Sequence, residues 1–407
     1  MVNDDEMSRV QTYNLVLDQR LPKNMVFEIG YVGNRSEHLM EANNLRNINA
    51  MPYGSLYKPQ PDAGRPDTAS TVGKIWPVFG PANTGNGNLA NLTTADTDSF
   101  RPYPLYANIY AIRHRGYANY NAMQTMYTWT PRHARISANY TWSKALGAVA
   151  GPDPINLSND YLPLNIDRTN IVNLNYSYTL GNVVHERYLG WLANGWEISG
   201  ITNFQSGTLL TSLMSSNFNL SGTLTVPAGT TANVPGYNNS STCALSGTAT
   251  MCTLQITSAS VLGTPDIALQ PTVVGFPNGK GNHQYVDGTA FRLPTLGTNG
   301  PTYYGNLRGP AFFNTDLAMK KELKIRNKDS LQLRVAAFNV INRANYTFSS
   351  LYPGGYSMNF TQTLYANDIN QDLSTATNQQ PSFGPGFGSA NIRTGRRIME
   401  ISVKYVF

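Results

Sequence analysis

Charge is scarce in this sequence: of its 407 residues only 13% are Asp, Glu, Lys or Arg. Long apolar runs are missing as well. The longest candidates, around Leu209 to Met214 and Val335 to Ile341, are broken by polar residues and fall short of the roughly 20 residues that a spanning helix needs. A helical membrane protein is thereby excluded, and the mean hydropathy of −0.31 agrees. Histidine and cysteine are sparse too. The five histidines, His38, His114, His133, His185 and His283, show no HExxH spacing and no Cys/His cluster, so neither a metal nor a cofactor is expected. No GxSxG elbow, P-loop or dinucleotide fingerprint occurs, and Gly384-Pro385-Gly386-Phe387-Gly388 reads as a turn, not a phosphate cradle. The chain is not expected to be an enzyme. A net charge of +6 without a Lys/Arg stripe or a reader motif gives no nucleic-acid partner either.

What the sequence does have is period-2 alternation, in segments of about 10 residues, the length with which a tilted strand crosses a bilayer. In one, Ala134, Ile136, Ala138, Tyr140 and Trp142 share a face opposite Arg135, Ser137, Asn139, Thr141 and Ser143. In another, Val172, Leu174, Tyr176, Tyr178 and Leu180 oppose Asn173, Asn175, Ser177 and Thr179. About nine such segments fall near 11–20, 25–34, 117–130, 134–144, 170–180, 195–206, 312–325, 330–343 and 395–407. Tight turns at Leu21 to Asn24, Pro131 to His133 and Arg326 to Asp329 contrast with long Gly-, Pro-, Asn- and Ser-rich stretches after Asn34, Leu146, Gly207 and Arg343. Outer-membrane barrels have that asymmetry, with short periplasmic turns and long extracellular loops. The expected fold is all-β, an antiparallel transmembrane β-barrel segment in which the first and last strands both run toward the periplasm.

The C-terminal segment sets Met399, Ile401, Val403, Tyr405 and Phe407 opposite Glu400, Ser402, Lys404 and Val406. It resembles the closing-strand signal that the barrel-assembly machinery reads on outer-membrane proteins. Aromatics gather near segment ends, at Tyr127, Trp129, Tyr140, Trp142, Trp196, Phe204 and Tyr405, as interfacial girdles would. Basic residues are scattered near predicted strand ends, as in Arg113 to Arg115 and Arg393 to Arg397. They read as solvated charge or as contacts to anionic outer-leaflet lipid such as lipopolysaccharide. Cys243 and Cys252 share a Gly/Ser/Thr/Asn-rich loop and form a candidate disulfide, with two free thiols as the alternative. Met1 to Val10 is acidic and has no apolar core, so it is not a signal peptide. For an exported protein this leads to the expectation that Met1 is not the natural start.

Short motifs then run through the chain in order. They are Asp18-Gln19-Arg20-Leu21-Pro22, Glu28-Ile29-Gly30-Tyr31-Val32-Gly33-Asn34-Arg35, Arg101-Pro102-Tyr103-Pro104 and Tyr120-Asn121-Ala122-Met123-Gln124. Tyr140-Thr141-Trp142-Ser143-Lys144-Ala145-Leu146 and Gly195-Trp196-Glu197-Ile198-Ser199-Gly200-Ile201 with Gln205-Ser206-Gly207 follow. The last are Gly305-Asn306-Leu307-Arg308-Gly309-Pro310, Asn314-Thr315-Asp316-Leu317, and Phe338-Asn339-Val340-Ile341-Asn342 with Asn345-Tyr346. In this set the chain resembles the Oar-like TonB-dependent receptors. The resemblance implies a 22-stranded barrel, an N-terminal plug and a short box that contacts TonB. Plug and box have no counterpart here, so residues 1–407 are expected to be the C-terminal part of such a barrel, strands 14 to 22. The implied function is that of an outer-membrane receptor and transporter for an unidentified substrate, in contact with TonB only through the missing plug and box. A surface adhesin or other structural protein, or a gene fragment without function, is the alternative.

Overall fold

The computed structural model describes residues 6–40, 46–55, 80–81, 98, 100–104, 106–148, 161–164, 166–181, 183–210, 220–227, 251–256, 262–267, 269–279, 281, 283–292, 294, 297–301, 307–325, 329–348, 358–363, 381–383 and 387–407. Nine long strands form one antiparallel sheet in which every strand pairs with its successor in the chain. They are β1 (Arg9–Leu21), β2 (Met25–Leu39), β3 (Gly116–Trp129), β4 (Ala134–Ala148), β5 (Asn170–Thr179), β6 (Trp196–Gln205), β7 (Phe312–Lys324), β8 (Ser330–Phe338) and β9 (Ile398–Val406). Each expected segment has its strand. Two boundaries differ in an instructive way. The segment expected at 330–343 stops at Phe338, because Asn339 and Asn342 take left-handed conformations, with φ of 51° and 55°. The segment expected at 25–34 runs on to Leu39, paired to β3 as far as Gly116 across an irregularity between Ser36 and Leu39. The outer edges of β1 and β9 pair with no other described strand, so the sheet is an open wall.

Register carries one side-chain parity across the whole wall. Leu15 stands beside Tyr31, Tyr31 beside Met123, and Met123 beside Trp142. Tyr140 pairs with Val172, Val172 with Phe204, and Phe204 with Phe313. Met319 then pairs with Val335, and Val335 with Ile401. The result is one apolar face that no described segment covers: Leu15 is 75% exposed and Ile401 71%. Aromatics sort into two levels on it. Tyr127, Trp129, Tyr178, Trp196 and Tyr405 lie toward the end with the short turns; Tyr13, Tyr31, Trp142, Phe204 and Phe313 lie toward the other. On β4 the seven residues Ile136 to Trp142 rise about 20 Å at ~3.3 Å each, close to the ~25 Å apolar band of an outer-membrane barrel. Gly33 shows why a glycine belongs in this face. The Tyr13 ring lies flat across its α-carbon, where any Cβ would collide with it.

The opposite parity is polar. Asn139, Asn173, Asn203 and Asn314 form an in-register row across β4 to β7, and Glu197, Lys320, Arg334 and Ser402 form another across β6 to β9. A sheet with one lipid face and one wet face satisfies every interior backbone group through its ladder, the requirement a bilayer imposes.

Connections alternate in length as expected. At the short end, Lys23 and Asn24 turn with φ of 62° and 59°. The third connection at that end, between β5 and β6, holds the one described α-helix, α1 (Arg187–Ala193). Behind it Asn194 accepts from the Val183 and Val184 amides through Oδ1, at 2.8 and 3.0 Å. Its carbonyl receives the Lys321 ammonium at 2.7 Å, and Lys321 also lies over the Trp196 ring. The long loops carry short strands of their own. Gly80–Pro81, Leu220–Pro227, Met251–Ile256, Met358–Thr363 and Pro381–Phe383, drawn from three different loops, pair into a separate five-stranded sheet. Their backbones find partners in one another along the ladders.

Candidate functional site: the loop-bearing rim

Where the strands leave the apolar band, three buried polar knots tie long loops to the wall or to one another. The first centres on Asp167, whose side chain is fully buried. Arg308 donates to it at 2.7 Å, and also to Thr169 Oγ1 at 2.5 Å and the Gly207 carbonyl at 2.9 Å. The Ala145 amide donates to the other carboxylate oxygen at 2.7 Å, and Lys144 stands 3.7 Å away. The loops after β4 and β6 meet there, against the end of β4. Gly207 is required by the approach: a Cβ would strike the Gly309 carbonyl. Desolvation, reinforced by Arg308, lowers the neighbouring Arg168 pKa below the ordinary arginine value.

The second knot joins the loop after β2 to the loop after β6. Arg101 forks onto Asp266 at 2.5 and 3.1 Å, reaches Asp98 at 2.7 Å, and donates to the Asn49 carbonyl at 2.8 Å. Burial alone would lower the Arg101 pKa, but the hydrogen bonds to Asp266 and Asp98 outweigh it and raise it above the usual value. Asn49, itself buried, donates to the Tyr103, Tyr106 and Ala107 carbonyls and accepts from the Tyr103 amide.

The third knot sits at the β7 and β8 ends. Asn345 pairs both ways with the Phe313 backbone at 3.0 Å, and Asp316 accepts from the Asn339 amide at 2.8 Å. The Asn339 amide group donates in turn to the carbonyls of Arg343 and Gly395. This capture of Asn339 ends β8 where the apolar pattern Val340, Ile341 would have continued it. The motifs that carried the family resemblance therefore meet in space: Ser143-Lys144-Ala145 with Gly207 and Arg308, and Asp316 with Asn339 and Asn345.

Two hollows flank these knots. On the polar face one of about 390 Å³ is bordered by Arg135, Asn175, Ser199, Asp316, Arg334 and Phe338. On the apolar face, beyond the upper aromatic level, a groove of about 740 Å³ is lined by residues including Tyr13, Arg35, His38, His114, Arg115 and Tyr161. Nothing in the local sequence marks the groove: its residues lie far apart in the chain, and His38 and His114 belong to no motif.

The other expected site residues fall as follows. Met399, Ile401, Val403 and Tyr405 share the apolar face of β9, and Phe407 is 93% exposed beyond it. Two loop stretches are rich in Tyr, Asn and Gly, Tyr103 to Tyr120 and Phe348 to Phe360; the first approaches the rim through Asn49, and 349–357 of the second lies outside the described residues. Of the candidate disulfide, Cys243 lies outside the described residues and Cys252 is on the strand Met251–Ile256. The disulfide remains a proposal. A ring of this length closes at small entropic cost in an oxidising compartment. Thiol titration of exported, unreduced protein is expected to find no free cysteine, and two reactive thiols would refute the pairing.

With the wall and rim in place, comparison with known proteins is informative. The family model described as Outer membrane beta barrel domain matches residues 2–362. Among curated proteins none matches this sequence. Similar solved structures include the outer membrane transporter YddB from Escherichia coli, at 8% identity and a TM-score of 0.35, covering 98% of this chain and 33% of that one. The ferripyoverdine receptor of Pseudomonas aeruginosa has 10% identity and a TM-score of 0.33, over 98% of this chain and 27% of that one. The FrpB iron transporter from Neisseria meningitidis has 9% identity and a TM-score of 0.33, over 98% and 31%. This chain thus spans about a third of the length of each. The family match covers β1 to β8, and β9 continues the same two-faced wall. The chain belongs to the outer membrane beta barrel domain family, and its place is the outer membrane of a Gram-negative type of cell.

Proposed function

We propose that these nine strands form one arc of a wider barrel in an Oar-like TonB-dependent receptor, whose long loops capture a ligand and whose polar face lines its path inward. The observation that carries the reading is the nine-strand wall itself, apolar on one face and polar on the other, with outer edges that pair with no other described strand and its long connections all at one end. Energy would come from TonB through a plug and box supplied outside these strands. The closing-strand face of Met399, Ile401, Val403, Tyr405 and Phe407 serves the barrel-assembly machinery in this reading. No catalytic role is assigned to any residue. The tyrosines and asparagines around Asn49, Tyr103 and Tyr106 suit adaptable hydrogen bonding and stacking, without specifying the solute.

The test is growth on mixtures of oligosaccharides or of peptides as sole carbon source. Deleting the gene that carries this segment is expected to abolish growth on one class, and deleting TonB to reproduce the loss. Undiminished growth on every mixture, together with reduced surface attachment, would favour the adhesin and overturn transport.

A further inference from the structure

We propose that the groove on the apolar side of β1 to β3 holds the phosphorylated sugar headgroup of an outer-leaflet glycolipid. The inference rests on the outer-membrane placement of the wall and not on uptake. Its position comes from register. Arg35 follows Tyr31 and Gly33 on the apolar parity of β2, and pairs across to Asn119 with Tyr117 two residues further on. Tyr13 and Tyr31, with ring centroids 6.1 Å apart, mark the upper limit of the apolar band. The groove therefore begins where hydrocarbon gives way to headgroups, on the side of the wall turned away from the lumen. A solute inside the barrel does not reach it; a lipid beside the barrel does.

Its chemistry matches a ligand that carries both phosphate and sugar. Arg35 and Arg115 supply donors of the kind that hold phosphate oxygens, and His38 and His114 line the groove beside them. Arg115 makes no ion pair among the described residues. Arg35 is held by Glu37 at 2.6 Å and keeps further N–H groups for a second acceptor, because a guanidinium has five. His38 is likewise oriented by Glu6. An anion alone would be served poorly by a groove that also contains two carboxylates. A glycolipid headgroup uses them, since carboxylates accept from sugar hydroxyls. Flat aromatic surface completes the set: Tyr117 and Tyr161 stack at 5.3 Å, and the Tyr161 hydroxyl donates to Asn119 at 2.5 Å.

The experiment uses the protein isolated from its own outer membrane in mild detergent and observed by native mass spectrometry, with bisphosphorylated lipid A as the probe. Lipid A adducts are expected on the wild type. They should fall at least tenfold in Arg35→Ala/Arg115→Ala and in Tyr117→Ser/Tyr161→Ala, while Arg393→Ala, at the other side of the wall, changes nothing. Dephosphorylated lipid A is expected to bind at least tenfold more weakly, and millimolar inorganic phosphate not to compete. Heat-modifiable migration confirms that each variant is assembled. Adducts of equal abundance in assembled groove variants would overturn the proposal. Displacement by inorganic phosphate would do so too, by showing a site for a free anion. Absence of any uptake by the wild type with lipid A binding intact would sink the transport reading and leave this one standing.

Discussion

Leu174→Arg is expected to reduce assembled protein in the outer membrane at least tenfold, whereas Asn173→Arg, one residue away, leaves it near the wild-type level. The two positions differ only in parity. Leu174 lies midway up the apolar face, paired with Ala138 and Thr202, and Asn173 lies in the asparagine row of the polar face. An arginine facing lipid near the middle of an outer-membrane barrel costs about 2–4 kcal/mol. The same arginine in a wet lumen costs within about 0.5 kcal/mol, the usual range of a surface substitution. Heat-modifiable migration and urea-dependent unfolding in vesicles measure both. Equal losses from the two variants would mean that the faces have been assigned the wrong way, or that neither meets lipid.

That contrast also explains why the wall was legible in the sequence. A strand with lipid on one side and water on the other must alternate residue by residue, and the cause acts at every position. Leu15, Leu17, Ile29 and Tyr31 could be assigned to one face without any knowledge of their neighbours. Legibility ends where the lipid ends. Arg35, Ser36 and Glu37 carry no alternation because both faces of upper β2 are wet, yet its hydrogen bonds to β3 continue to Leu39. The opposite error occurred at β8, where Val340 and Ile341 prolong the pattern while Asp316, a residue of another strand, takes the Asn339 amide and ends the strand.

The rim was legible in part. Its motifs stood out as motifs, but their physical task did not. Arg308 and Asp167 are 141 residues apart, and nothing local in Leu307-Arg308-Gly309 identifies its carboxylate. The groove was not legible at all, since Arg35, Arg115 and Tyr161 belong to three separate segments. Contacts set by the closing of loops over a wall are long-range facts, which a local pattern does not encode.

The buried ion pair gives the second large expectation. Asp167→Ala should make the loops after β4 and β6 open to surface protease in intact outer membranes, with the nine-strand wall still assembled. The substitution removes the carboxylate from Arg308, leaves the Ala145 amide without its acceptor, and takes the nearby charge from Lys144. Breaking a buried pair by deleting one partner costs about 3–5 kcal/mol. That is a large share of the stability of any domain, and here it falls on loops held by only a few such knots. The wall below draws its stability from lipid-facing side chains and its ladder, so it should not follow. In Asp167→Ala/Arg308→Leu the second substitution removes the stranded charge, and cleavage is expected to be slower than in Asp167→Ala alone. Trypsin cutting of the single variant in these loops at the wild-type rate would show that the knot does not hold them. Cutting that is just as fast in the double variant would show that the ion pair is not what makes Asp167 matter.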